Sequence, residues 1–540
     1  MTRNAADIAR GLAPTRPARA IQRGERLHVI GVGGSAASGA GILAHGAGAT
    51  VTACDSAGPS PYDRAVAEAG IAIAWEHAAE HVVGAEGRRV DRVAVTKAIT
   101  SVRPDHPELE AARRAGIPTE SVQQVIADAA ISLGQRLIGV TGTHGKSTTT
   151  GWVIHQLVEA GHDPSGFVGA LLPSALSGGG APATARLGSG PDVVVEADEY
   201  AGNFDPYRPT LGAVVTIEWD HPDVFPDETA VVDVVDAWVR RFEGGADAVP
   251  VLVANEGDPG VRRLLARLAD WNGRLTTIEL RQPGRDESHR SLYRTALGPA
   301  RRIVGRIASS DGTGTELLVD GVDATRSERA RVAITGSHMA TDGLVALAVA
   351  LEAGVEPPQA LRSMATFGGV GRRLELKGDI GGVVVLDDYG HHPTAIAATL
   401  AAARQRYPGR AIWAVYEPLT FHRTAAMLDA FAEVLATAER VAIVDIWAVR
   451  DLDTTIVSAA DLAAATRAHG TPAIATGSPE ESAERLAGLV APGDVVLVMG
   501  GGRSYVVAER LVERLAERSA QADPATTSAS PASSSDTGTA

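Results

Sequence analysis

The chain has 540 residues, 45% of them apolar and 4% aromatic, with a formal net charge of −15. That length exceeds what one hydrophobic core supports and predicts three or four domains, while the acidic balance argues against non-specific nucleic-acid binding. The single cysteine, Cys54, excludes a disulfide framework and a zinc site based on several cysteines and points to a reducing cytoplasm; no apolar run is long enough for a membrane span.

Residues 1–24 are rich in Ala and Arg, contain Pro14 and Pro17, and predict a loose arm. Leu27–Ile30 reads as a strand. It is followed by the turn Gly31-Val32-Gly33-Gly34-Ser35-Ala36-Ala37-Ser38-Gly39, a helix to about Gly46, a strand over Thr50–Ala53, and Asp55 just past its end. Strand, glycine turn, helix, strand and acid in that order open a doubly wound dinucleotide-type fold. Ala36 holds the third glycine place of G-x-G-x-x-G, so this motif alone fits either an NAD-type dehydrogenase or another nucleotide-diphosphate site. Arg92–Val95 is a further strand, and Pro107–Arg114 a helix stopped by Gly116.

A second unit opens at Leu137-Ile138-Gly139-Val140-Thr141, an apolar run that breaks into Gly142-Thr143-His144-Gly145-Lys146-Ser147-Thr148 before a helix over Gly151–Ala160. Gly142 and Gly145 let the backbone approach a ligand, and amides at a helix N-terminus bind anions. Lys146 reaches phosphate oxygens as a point charge, and the Ser147 hydroxyl suits magnesium. Val140 stands where G-x-x-x-x-G-K-[ST] has its first glycine; an ordinary glycine turn with a chance lysine is the bland alternative. Asp192–Glu199 reads as a buried strand ending in Glu196, Asp198 and Glu199, and Leu211–Ile217 as another, ending near Asp220 and His221. Carboxylates at the C-terminal ends of parallel strands suit a metal beside the phosphate loop, or else are a solvated strand end. His221 alone reads as a surface or core histidine; its place at an equivalent strand end makes it a ligand candidate.

The stretch from Gly178 to Gly190 predicts a mobile loop, Arg301–Arg331 hairpins, and Leu344–Ala353 a helix. A hinge is expected at Phe367–Arg373. A third α/β unit follows, with strands at Val383–Leu386, Ile412–Tyr416, Val441–Val444 and Val495–Met499. The polar tail 518–540 predicts disorder.

The motifs Gly31–Gly39, Gly142–Thr149, Glu196–Glu199, Asp220-His221, Gly371-Arg372-Arg373, Asp387–Thr394 and His422-Arg423-Thr424, in that order over Leu27–Glu513, resemble the Mur ligases, the ATP-dependent amino-acid ligases of peptidoglycan precursor synthesis. The resemblance implies an α/β protein of three domains. These are a Rossmann-like unit over 25–133 for a UDP-sugar, a central P-loop ATPase unit over 134–371, and a Rossmann-like unit over 372–517 for the amino acid. It implies that Gly31, Gly33, Gly34, Ser35, Ser38 and Asp55 meet the UDP-sugar, and that NAD is not used. Gly142, Thr143, His144, Gly145, Lys146, Ser147, Thr148, His338, Asp342 and Arg372 would meet ATP. Ser147, Glu196 and His221 would hold Mg2+, and Lys146, Asp388, His391 and Arg423 would act in catalysis.

The nearest branch takes UDP-N-acetylmuramate as carboxyl substrate. Asp388–Thr394 and His422–Thr424 are more like its L-alanine-adding members, whereas Glu199-Tyr200 and Asp220–Phe225 are more like its tripeptide-adding ones. A cytoplasmic monomer or homodimer without nucleic-acid or membrane partners is expected. The chain departs from the family at Met339 and Asp342, which replace two asparagines, the second associated with adenine; an ionised Asp342 accepts a hydrogen bond but cannot donate one. Gly500–Arg503 departs too. A nucleotide-binding homologue without ligase activity is the reading of another class.

Overall fold

A computed structural model describes residues 12–84, 87–103, 105–244, 249–284, 293–323, 325–448, 451 and 453–522. Residues 1–11 of the predicted arm and 523–540 of the predicted tail lie outside the described residues.

The first sheet contains β1 (Arg26–Ile30), β2 (Thr50–Cys54), β3 (Ala72–Ala74), β4 (Arg92–Val95) and β5 (Thr119–Ser121), all parallel, in the order β3-β2-β1-β4-β5. The order reverses at β1, and the ligand crevice of an open α/β sheet lies where the order reverses. The Gly31–Gly34 turn follows β1 there and leads into α1 (Ser35–Gly46). Residues 12–24 are not loose, contrary to expectation. Leu12 and Ile21 are buried, and Arg16 pairs with Asp128 at 2.7 Å and Glu120 at 2.8 Å.

The central sheet contains β6 (Arg136–Thr141), β7 (Ser165–Leu172), β8 (Ala183–Arg186), β9 (Asp192–Glu196), β10 (Leu211–Val214), β11 (Val251–Asn255), β12 (Arg274–Arg281), β13 (Arg301–Asp311), β14 (Gly314–Asp320) and β15 (Glu328–Val332). Their order is β8-β7-β9-β6-β10-β11-β12-β13-β14-β15, parallel from β7 through β13 and antiparallel at both ends. Val193, Val194 and Val195 in β9 are all at most 1% exposed, which is why this strand reads as an unbroken apolar run: both its faces are covered. Helices α2 (Lys146–Glu159) and α3 (Ser337–Glu352) pack together on one face. The approach depends on Gly343, where a Cβ would fall 2.9 Å from the Trp152 ring.

Part of the Gly178–Gly190 stretch is strand β8 rather than a mobile loop. The Ala-Thr-Ala-Arg alternation buries Ala183 and Ala185, and Thr184 Oγ1 lies 2.9 Å from Ser38 Oγ on α1, so the strand lies between the first two domains. The third sheet holds β16 (Glu375–Ile380), β17 (Val383–Asp388), β18 (Ile412–Glu417), β19 (Arg440–Val444), β20 (Ala473–Gly477) and β21 (Val495–Gly500), in the order β16-β17-β21-β18-β19-β20. Helix α4 (Ser504–Ala522) runs past the predicted domain end at 517, so residues 518–522 are helical rather than disordered.

Asp128 joins the N-terminal segment to the first sheet. It accepts hydrogen bonds from Arg16 Nη2, Arg92 Nη1 and the Arg19 amide at 2.7, 2.5 and 3.0 Å, and Arg92 is 2% exposed. Asp128→Ala leaves that guanidinium buried with less counter-charge, and urea unfolding is expected to show a loss of about 3–5 kcal/mol.

Candidate functional site

The three domains meet around a cavity of about 670 Å³. The loop after β6 forms its floor because two glycines let it fold tightly. Gly142 has φ +145°, and a Cβ there would come within 2.8 Å of the Thr216 amide nitrogen; Gly145 has φ +82° and caps α2. Lys146 Nζ donates to the Gly142 carbonyl at 2.7 Å and to Glu199 Oε2 at 3.0 Å. Burial opposes its charge, but Glu199, Asp198 and Glu196 outweigh burial and raise its pKa, so Lys146 stays an ammonium. Ser147, Thr148, Glu196, Asp198 and His221 line the same cavity. One Glu196 oxygen accepts the Gly169 amide at 2.6 Å.

Opposite the loop stands the third domain. The short helix Phe421–Ala426 carries Arg423, whose Nη2 lies 2.6 Å from Asp220 Oδ1 and 3.0 Å from His221 Nδ1, while its buried Nη1 has no hydrogen-bond partner. Asp220 is held well below the usual carboxylate range because Arg423, with help from His221, outweighs the cost of burial. The Thr394 hydroxyl donates to Glu218 Oε1 at 2.6 Å, and His144 from the phosphate loop lies 2.9 Å from the other Glu218 oxygen.

His391 Nδ1 is 2.9 Å from the Tyr389 carbonyl, which can only accept, so Nδ1 carries the hydrogen and Nε2 is the basic nitrogen. Burial and the nearby Arg423 charge push the His391 pKa well down, keeping the ring neutral. Asp388 has both oxygens engaged, Oδ2 by the Leu374 amide at 2.8 Å and Oδ1 by the Gly390 amide at 2.7 Å and the Thr399 hydroxyl at 3.2 Å.

Two expectations change at this site. Arg372 turns away from the cavity into its own domain, donating to the Gly500 carbonyl and Ser504 Oγ at 2.8 and 2.7 Å and lying 3.2 Å from Asp387. Its neighbour Arg373 lines the cavity instead, with Nη2 3.3 Å from Ser147 Oγ. The reading of Asp342 as an acceptor alone changes too. Burial raises its pKa well above the usual range despite the nearby Arg373, which favours the protonated carboxyl, able to donate as well as accept. His338 and Asp342 both line the cavity.

At the first domain's edge, Ser35 lines the cavity, but Ser38 is buried against Thr184. The Gly33 amide donates to Asp55 Oδ2 at 2.9 Å and the Ala57 amide to Oδ1 at 2.8 Å, so Asp55 braces the glycine turn. Gly31 and Gly34 close that turn through a hydrogen bond from the Gly34 amide to the Gly31 carbonyl at 3.1 Å. The motif reading missed Lys97. It is 4% exposed, lines the cavity and donates to the Ala201 carbonyl at 2.6 Å, and burial pulls its pKa down to about 8. A lone lysine outside a glycine motif carries no sequence signal.

A phosphate loop facing a cavity walled by three α/β units defines the class: a multidomain P-loop nucleotide-binding protein. Residues 26–132 match the family described as "Mur ligase family, catalytic domain", and residues 372–502 match "Mur ligase, glutamate ligase domain". The chain is 33% identical over 518 residues to the UDP-N-acetylmuramate–L-alanine ligase of Frankia casuarinae, covering 92% of this chain and 98% of that one. It is 34% identical over 505 residues to the ligase of the same name from Mycolicibacterium vanbaalenii, covering 92% and 97%. In fold it is similar to the UDP-N-acetylmuramate–alanine ligase of Thermotoga maritima (TM-score 0.71, 20% identity, 91% and 99% covered). It is also similar to a murein peptide ligase of Psychrobacter arcticus (TM-score 0.67, 22% identity, 91% and 99% covered). The chain belongs to the Mur ligase family.

Because a Cβ at position 142 would collide with main chain, Gly142→Ala is expected to cost nucleotide affinity by roughly tenfold or more. Calorimetric titration with ATP checks this, and wild-type affinity would show that the loop does not approach the nucleotide.

Proposed function

We propose that this chain is an ATP-dependent ligase that joins the carboxylate of UDP-N-acetylmuramate to the amine of L-alanine, releasing ADP and phosphate. The observation that carries the reading is the shared cavity, in which the phosphate loop faces Ser35 and Lys97 of the first domain and the histidines of the third. Relatives of that activity, alignable over nine-tenths of the chain, support it.

A carboxylate resists attack by an amine, so it must first be activated. A carboxylate oxygen attacks the γ-phosphorus of ATP, the bond to the β-phosphate oxygen breaks, and ADP leaves an acyl phosphate. The neutral amine then adds to the acyl carbon, and the tetrahedral adduct expels phosphate as the amide forms. Lys146 offsets charge on the transferring phosphoryl group, and the loop amides hold the neighbouring phosphates. Magnesium, when bound, supplies further charge compensation. The oxygen donors Ser147 and Glu196 fit a hard cation and would hold it with His221, all three lining the cavity.

His391 is placed to orient the incoming amine, since its Nε2 is unprotonated and can accept a hydrogen bond, whereas Asp388 is spent on backbone and hydroxyl donors. Arg423, through its unpartnered Nη1, would receive the α-carboxylate of the amino acid. The closed arrangement of the third domain would exclude water, which otherwise hydrolyses an acyl phosphate. Among the described residues no helix is long and apolar enough to cross a membrane, and both ATP and a UDP-sugar are expected in the cytoplasm.

Lys146→Ala is expected to lower ligation by roughly a hundredfold or more, about 3 kcal/mol, while UDP-sugar binding by the first domain stays near wild type. Turnover at the wild-type rate in a folded variant would remove the phosphate loop from the mechanism.

Among amines, L-alanine is expected to drive phosphate release roughly tenfold faster than glycine, because a missing methyl in a fitted pocket forfeits about 1–3 kcal/mol. It should exceed L-alanyl-γ-D-glutamyl-diaminopimelate by more. A faster rate with that tripeptide would reassign the substrate and leave the family unchanged.

A further inference from the structure

Away from the cavity, the first domain gathers four histidines, its single cysteine and a glutamate around one buried point. His28 comes from β1, Cys54 from β2, His81 from the 3-10 turn Ala79–His81, and Glu108 from the helix Pro107–Ala115. Their donor atoms all lie within 4.8 Å of one another. His28 Nε2 is 3.3 Å from Cys54 Sγ and 3.4 Å from Glu108 Oε1, and the thiol is 3.0 Å from the same oxygen. His81 Nδ1 is 2.6 Å from it. Bonds of about 2.0–2.3 Å to a tetrahedral zinc ion set donors about 3.3–3.7 Å apart, so the two His28 separations fit within a few tenths of an ångström, while the Cys54 and His81 contacts to Glu108 must widen by about half an ångström or more. The other Glu108 oxygen, Oε2, is buried without a hydrogen-bond partner.

Two further observations point to a ligand. Glu108 is fully buried, and its ion-pair partners among the described residues are all histidines, at 2.6–3.4 Å. A buried carboxylate with no arginine or lysine beside it lacks a permanent counter-charge. His106 is 2% exposed, and neither of its ring nitrogens has a hydrogen-bond partner, with Nδ1 3.3 Å from Glu108 Oε2. The His28 ring is oriented as a metal ligand requires: Nδ1 is 2.9 Å from the Thr52 hydroxyl, which leaves Nε2 aimed at the cluster.

We propose that the first domain binds one zinc ion through His28 Nε2, Cys54 Sγ, His81 Nδ1 and the Glu108 carboxylate, as a structural site distinct from the nucleotide cavity. Two imidazoles, a thiolate and a carboxylate are the borderline donors zinc takes, and four protein ligands close the site. Coordination replaces the thiol proton, released to solvent, and a divalent cation with one thiolate and one carboxylate makes the buried unit neutral. Zinc would tie two strands, a turn and a helix together at the base of the glycine turn, where the Cys54 carbonyl accepts the Gly31 and Val32 amides at 2.9 and 3.1 Å.

The single cysteine makes the test specific, because a thiolate-to-cobalt charge-transfer band can arise only at Cys54. Metal-stripped full-length protein is titrated with cobalt(II), then with zinc, and its melting temperature is followed with and without zinc. The expected result is a near-ultraviolet charge-transfer band saturating at about one cobalt per chain, bleached by zinc. The band should be absent in Cys54→Ser, and zinc should raise the melting temperature of the wild type but not of Glu108→Gln. No charge-transfer band in the wild type at excess cobalt, or a melting temperature indifferent to zinc, overturns the proposal whatever the variants do. Magnesium at the nucleotide cavity cannot produce this signal, so failure here leaves the ligase reading intact.

Discussion

The ion pair between Arg423 and Asp220 bridges the central and C-terminal domains at 2.6 Å, with both side chains at most 5% exposed. Burying two charges costs several kcal/mol each, and only close geometry repays it. Once the pair forms, the rest of the closed site is determined around it. His221 is drawn against the guanidinium, Thr394 reaches Glu218, and Arg373 reaches Ser147 on the phosphate loop. The pair therefore does more than hold two domains together: it sets the separation between the floor of the cavity and the wall from which an amine would arrive.

The overall charge of the chain and the local charge of the site oppose each other. A protein with a net charge of −15 binds a phosphate ligand against its own field, and a few buried cations stand at or beside the cavity to offset it. Lys146, Lys97, Arg373 and Arg423 each stand within reach of the cavity or its wall. Lys146 is kept charged by three carboxylates, whereas Lys97 lacks so close a counter-charge and falls to about 8. An incoming polyanion would supply Lys97 with that counter-charge. Burial acts in the opposite sense on acids, raising the pKa of Asp342 and so favouring a carboxyl that can donate a hydrogen bond.

Much of the fold was legible because parallel strands covered on both faces are written as apolar runs, and β1, β4, β6, β9 and β21 fall close to where those runs occur. The strands left unpredicted include the apolar β7 and β11, with no motif beside them, as well as two weakly apolar ones. β8 and β20 are rich in alanine and threonine, and their place depends on partners far away in sequence: Thr184 is a strand residue because Ser38 and α1 lie against it. The N-terminal segment was misjudged for the same reason. Its arginines read as solvated until Asp128 and Glu120, distant in the sequence, are brought beneath them.

By itself the sequence determined the family, the three α/β units and the phosphate loop, because glycines at forced backbone positions and a lysine at the loop's end are local requirements that local sequence must meet. It also determined which residue types stand at the strand ends. Only the tertiary structure decided which of two adjacent arginines faces the cavity, since Arg372 and Arg373 differ in direction and not in chemistry, and that direction is set by Gly500, Ser504 and Asp387 packing on one of them. Tertiary structure likewise brought His28, Cys54, His81 and Glu108 to one point. Metal-type spacing was absent from the sequence because each donor rides on a different element, and proximity among four elements is a property of the packed core alone.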